Sequence, residues 1–188
     1  PIRLANCLHE MGYPVLLHVL DGATTDAAVR RMADASLPVV YASDPLALAE
    51  IVKRHGIGIL NSHHMGCQLL AAAMMGQTGV TVRHIATTHG MYEAVDRARS
   101  RQVLGEMLAG HVDEWTCVAQ KNLALIRETG LYPEDMLHQL PNGMQKPAIR
   151  PVNRAACGIP ADAFVFCVIS RALFRKGWLE AVEAVQLA

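Results

Sequence analysis

Arg171, Arg175 and Lys176 lie within the eight residues Ser170-Arg171-Ala172-Leu173-Phe174-Arg175-Lys176-Gly177. Before them comes Phe164-Val165-Phe166-Cys167-Val168-Ile169, an unbroken apolar run of β-branched and aromatic residues, the pattern of a parallel strand covered on both faces. After them, Trp178 to Ala188 reads as helix. In an open α/β sheet, ligands bind at the carboxyl ends of the strands, where a helix N-terminus offers unpaired N–H groups to an anion. Cations on such a loop suit a phosphate, because charge-assisted hydrogen bonds contribute roughly 1.5–3 kcal/mol each and an Arg fork can address two oxygens at once. The competing reading is that these are solvated loop charges.

Other residues are placed for chemistry at strand ends. His89 follows Ile85-Ala86-Thr87-Thr88, and Gly90 beside it would let a ligand approach the backbone. A strand-end histidine bonded to a nearby loop is the alternative. His63 and His64 precede Cys67 by a few residues, which invites a metal reading. Adjacent histidines on extended backbone point to opposite faces, however, and no ligand set at structural-zinc spacing occurs elsewhere. No metal is expected. His63 instead suits a loop lining a cleft on the acceptor side, or simply a polar strand end. Asn142-Gly143 is a turn dipeptide that could also face a site.

The order of these segments carries a resemblance. Pro141-Asn142-Gly143, then Cys157-Gly158-Ile159-Pro160-Ala161-Asp162-Ala163-Phe164, then Ser170-Arg171 with Lys176-Gly177, resembles the domain crossover and first C-terminal βα unit of the group-1, family-4-like glycosyltransferases of GT-B fold. Upstream, Ile2 to Asn6 with Glu10 to Val15, Asn61-Ser62-His63-His64 and Thr87-Thr88-His89-Gly90-Met91-Tyr92 resemble segments of that family's N-terminal domain. The resemblance implies transfer of a sugar from a nucleotide-diphosphate sugar to a carbohydrate or lipid-linked acceptor with retention, without a cofactor or metal. It assigns catalytic roles to His89, Arg171 and Lys176, the cations at the leaving diphosphate and His89 at the donor sugar. It places Asn142, Gly143, Gly90 and His63 along the substrates, and leaves room for peripheral membrane contact and a homodimer.

Composition sets the remaining bounds. The 188 residues are 52% hydrophobic and 18% charged with a formal net charge of zero, which excludes a disordered chain and removes the footprint of a general nucleic-acid binder. Apolar runs are too short to span a bilayer, so the chain reads as soluble and cytoplasmic. Five scattered cysteines in mostly apolar patterns suit buried free thiols. Arg97-Ala98-Arg99-Ser100-Arg101 is flanked by acids at helical spacing and reads as a solvated helix face. Met65, Met74 and Met75 read as core filler.

Short apolar strands alternate with helices: Val15–Leu20, Asp26–Asp34, Leu37–Tyr41, Pro45–His55, Ile57–Asn61, Met65–Gly76 and Val80–Thr88. A helical region from about Glu93 to Ala109 follows, then Glu114–Val118, Gln120–Glu128 and Met136–Leu140. This alternation predicts a Rossmann-like α/β fold, a parallel sheet with helices on both faces. Asp44-Pro45 starts a helix, and Gly56, Gly76 and Gly130 fall where helices should stop. The prolines around Asn142 mark a boundary between residues 1–141, an acceptor-side domain lacking its first strand, and 142–188, a linker with the first βα unit of a nucleotide-sugar domain.

A lone strand and helix cannot bury their apolar faces, so residues 164–169 are expected to dock on a sheet edge. The chain reads as an internal fragment, without the family's acidic E-x7-E element, so no sugar transfer and at most weak nucleotide binding through Arg171 and Lys176 are expected from it alone. The rival readings are a non-catalytic nucleotide- or partner-binding Rossmann-like module and a dinucleotide oxidoreductase. The second is disfavoured by the lack of G-x-G-x-x-G.

Overall fold

Local chemistry sets the helix boundaries in the computed structural model, which describes residues 1–20, 22–90, 105–143, 153–170 and 174–187. Two compact units result, Pro1–Gly143 and Met144–Ala188. In the first, helices α1 (Ile2–Glu10), α2 (Gly22–Met32), α3 (Pro45–His55), α4 (Met65–Thr78) and α5 (Gln120–Arg127) alternate with strands β1 (Leu17–Val19), β2 (Val39–Tyr41), β3 (Ile59–Ser62), β4 (Arg83–Thr88), β5 (Glu114–Cys117) and β6 (Leu137–Gln139). A short helical stretch covers 105–108.

The start of α3 is built by its sequence. Asp44 Oδ1 accepts a hydrogen bond from Ala47 N at 2.9 Å, Pro45 needs no partner for a missing N–H, and Gly56 closes the helix at φ 60°. Asp44→Ala is expected to lower stability by about 1 kcal/mol and Asp44→Asn by much less, read from urea midpoints. Equal losses in the two variants would show that the cap is not what the carboxylate supplies.

Helix α4 corrects one expectation. It runs through Gly76 and ends before Gly79, which holds φ 67°. Gly76 lies inside because the buried stripe Leu70, Ala71, Met74 carries the helix onward. Thr78 Oγ1 then donates to the Met74 carbonyl at 2.6 Å, and the one-residue glycine penalty is outweighed. Helix α2 likewise starts at Gly22, earlier than Asp26.

Among the described residues all strand pairs are parallel, in two groups: β1 with β2, and β3-β4-β5-β6 in that order. Alternation along the strands sends Ala86, Trp115, Cys117 and Leu137 into a core with Ala72 of α4, Leu108, and Leu123 and Ile126 of α5. A second cluster joins Leu48, Ala49 and Val52 of α3 to Leu70 and Met74 of α4, with Leu60 packed against it. The opposite face of β3–β6 carries several polar pairs beside Ile59 and Ile85. Thr87 Oγ1 donates to Asn61 Oδ1 at 2.8 Å and accepts from Thr116 Oγ1 at 2.7 Å, while Arg83 and His138 both reach Glu114. The chain thus adopts the expected Rossmann-like α/β fold, parallel sheets flanked by helices. Among the described residues no helix is long and apolar enough to cross a membrane.

The second unit departs from expectation. Residues 164–169 form no strand, and no sheet among the described residues includes them. Phe164 is 83% and Ile169 91% exposed. A strand exists only where a neighbour accepts its backbone hydrogen bonds, and without one the run has β propensity but no ladder. Phe164 and Phe166, two residues apart, rest edge-on at 4.8 Å instead. Helix α6 (Trp178–Gln186) follows with Leu179, Val182 and Val185 exposed. The cysteines also differ from expectation: all five are free, but Cys117 is buried while Cys157 and Cys167 are exposed. Residues 97–101 lie outside the described residues.

Candidate active site

The carboxyl ends of β3 and β4 carry a pair of histidines. The two strands are neighbours in register, Ser62 opposite Ala86, so the residues that follow them emerge side by side. His63 Nδ1 and His89 Nε2 are 2.9 Å apart, and the rings meet end to end, with centroids 5.3 Å apart and 27° between their planes. Both are half-buried. Burial pushes the His63 pKa down to about 4, with further lowering from the neighbouring His89. His89 is lowered by burial. Both rings are therefore neutral near pH 7, and one donates its N–H to the other.

His64 plays a different part. Its Nδ1 accepts from Gly66 N at 3.1 Å and caps α4, so the adjacent histidines do point apart as extended backbone requires. Among the described residues no group of His, Cys, Asp or Glu is arranged to hold a metal ion. Gly90 follows His89 in the strand-end loop, partly buried.

Beneath the pair lies a buried network that no sequence motif announced. His84, in the middle of β4, is fully buried. Its Nδ1 donates to the His111 carbonyl at 2.6 Å, which fixes the proton there and leaves Nε2 to accept from Ser62 Oγ at 2.7 Å. Its backbone N–H donates to Asp113 Oδ2 at 2.7 Å. Ser62 immediately precedes His63, so this network anchors the end of β3 from which His63 projects. Gln68 Nε2 of α4 donates to the Thr87 carbonyl at 3.4 Å, tying down the end of β4.

Three of the remaining predicted residues are exposed within their own units. Asn142 and Gly143 are exposed at the end of the first unit. Lys176 is exposed in the 3-10 turn Phe174–Lys176 of the second unit, just before Gly177 at φ 69°. Trp178 Nε1 donates to Ser170 Oγ at 3.0 Å. Arg171 lies outside the described residues. The structure thus brings His63, His89 and Gly90 together.

The buried histidines give the first unit a pH signature. Burial, the larger influence, lowers His18 and His84 as it does His63 and His89. Unfolding returns each toward its ordinary value of 6.5, so the unfolded chain binds more protons between about pH 4 and 6.5. Stability is expected to be full above that window and to fall as pH drops through it, before carboxylates with ordinary values of 3.8–4.5 contribute. Urea midpoints at pH 7.5, 6 and 5 check this, and a flat profile would contradict it.

No curated protein is significantly similar to the chain. The model of glycosyltransferase family 4, by contrast, matches residues 2–145, which span the first unit with its strand-end histidines. On that match over most of its length, the chain belongs to glycosyltransferase family 4.

Proposed function

We propose that the protein transfers a sugar from a nucleotide-diphosphate sugar to a carbohydrate or lipid-linked acceptor with retention, in the two-domain GT-B arrangement. Residues 1–141 form the acceptor-side domain, and 142–188 open the nucleotide-sugar domain. The observation that carries this reading is the neutral His63–His89 pair at the carboxyl ends of adjacent parallel strands in a family-4 chain, where α/β sheets receive their ligands.

Departure of the nucleoside diphosphate develops negative charge that Arg171 and Lys176 would offset, as preorganised cations do in a water-poor site. His89 meets the donor sugar by hydrogen bonding, with Gly90 allowing close backbone approach. Asn142 and Gly143 border the donor side, and His63 the acceptor side. Nothing in this chemistry calls for a metal or cofactor.

Incubation of the full-length protein with a panel of nucleotide sugars and acceptors tests the reading, with the anomeric configuration of the product read by NMR. Transfer with retention is expected, and inversion would overturn the mechanism. A second reading, a non-catalytic module that binds a nucleotide or a partner, is favoured by the exposed apolar run 164–169. Calorimetric titration that shows nucleotide binding without any transfer would select it.

A further inference from the structure

Alternation along β3 places Asn61 on the same face as His63, one strand step below it, because Ser62 between them turns inward to the buried His84. Thr87 of β4 and Thr116 of β5 share that face. Thr116 Oγ1 donates to Thr87 Oγ1, which in turn donates to Asn61 Oδ1 at 2.8 Å. Thr87 is buried and Asn61 exposed, so a fixed inner hydroxyl holds the carbonyl end of an outer amide. The N–H2 end of that amide has no partner among the described residues. Beside it, Ile85 is half-buried and Ile59 is exposed. Among the described strand residues of this face, the one arginine, Arg83, and the one histidine, His138, both reach Glu114. A neutral amide with apolar neighbours suits the hydroxyls and C–H surface of a sugar, and without an unpaired cation it offers an anion no counter-charge.

We propose that Asn61 is a specificity-determining residue that binds a hydroxyl of a neutral carbohydrate acceptor, one strand step below the His63–His89 pair. Residues two apart on a strand are separated by about 7 Å, a distance that a pyranose with its hydroxyls can span. One sugar can therefore meet Asn61 and the histidine pair through different hydroxyls. A hydroxyl both donates and accepts, so it meets the outward end of the amide whichever way the amide is turned. The bonds from Thr116 to Thr87 and from Thr87 to Asn61 order the amide before a ligand arrives, which lowers the entropic cost of binding. That the sugar is the acceptor rests on the sugar-transfer reading above, whereas the binding of a neutral sugar at Asn61 does not.

In the full-length protein, with donor saturating and acceptor varied, Asn61→Ala should raise the acceptor KM roughly tenfold and leave the donor KM and turnover within about twofold. Thr116→Val, which keeps Asn61 but removes the donor to Thr87, should raise the acceptor KM by less. Acceptor analogues that each lack one hydroxyl give a readout that a merely structural role would not move. The natural protein should lose roughly tenfold with one of them, and Asn61→Ala should treat that analogue like the parent acceptor. An Asn61→Ala protein with the natural acceptor KM, or with the natural discrimination among analogues, would overturn the assignment. Nitrogen-15 NMR tests binding without turnover. Methyl glycosides of glucose, galactose and mannose should shift the Asn61 Nδ2 resonance, identified by its absence from Asn61→Ala, and inorganic phosphate should not. A shift with glycosides in a protein that transfers no sugar would support the subsite and defeat the sugar-transfer reading. A shift with phosphate alone, or none with the glycosides or with a transferred acceptor, would overturn the subsite.

Discussion

Replacing His84 by alanine is expected to destabilise the first unit by about 3–5 kcal/mol, the sum of a cavity and of buried polar groups stripped of partners. The ring is fully buried, so its removal leaves a void within β4 between the neighbours β3 and β5. Ser62 Oγ, itself buried, loses its acceptor, and the His111 carbonyl loses its donor. His84→Phe separates the two contributions, because it fills the volume and restores neither bond. It should recover the cavity part and retain the polar part. Urea unfolding followed by far-ultraviolet circular dichroism measures both. A loss below about 1 kcal/mol for His84→Ala would mean that solvent reaches the site and satisfies the stranded groups.

The helix starts and stops were legible where the chemistry is local. Asp44, Pro45 and Gly56 act on backbone groups within a few residues, so α3 follows the sequence from Pro45 to His55. Gly76 was misread because a glycine ends a helix by taking positive φ, and Gly79 takes it while Gly76 does not. The run 164–169 failed for another reason: a strand is a relation between two segments, and a pattern of apolar residues specifies only one of them.

The site divides along the same line. His63 and His89 could each be placed at a strand end from the βα alternation. Their meeting follows from β3 and β4 being neighbours, a fact of topology linking residues 26 positions apart. His84 stayed hidden as one polar residue in the segment 80–88. Its partners Ser62 and His111 lie 22 and 27 positions away, and the alternation that points its side chain toward the core is the one signal that could have found it.

In the full-length protein, Lys176→Ala is expected to lower the turnover number for sugar transfer by about 10²-fold while leaving the KM for acceptor close to that of the natural protein. The diphosphate of a bound donor already carries charge, but more accumulates on it as the bond to the anomeric carbon breaks. On the proposed sugar-transfer reading, a cation at this oxygen stabilises the transition state more than the ground state. Lys176 is exposed in its 3-10 turn, so truncating it removes charge without emptying any packed volume, and folding should be unaffected. Arginine at the same position keeps the charge and adds a fork, so Lys176→Arg should retain a substantial part of the rate. Steady-state kinetics with donor and acceptor varied in turn distinguish a loss in turnover from a loss in binding. A Lys176→Ala protein with unchanged turnover would remove this residue from the leaving diphosphate and return it to the solvated charges of the surface.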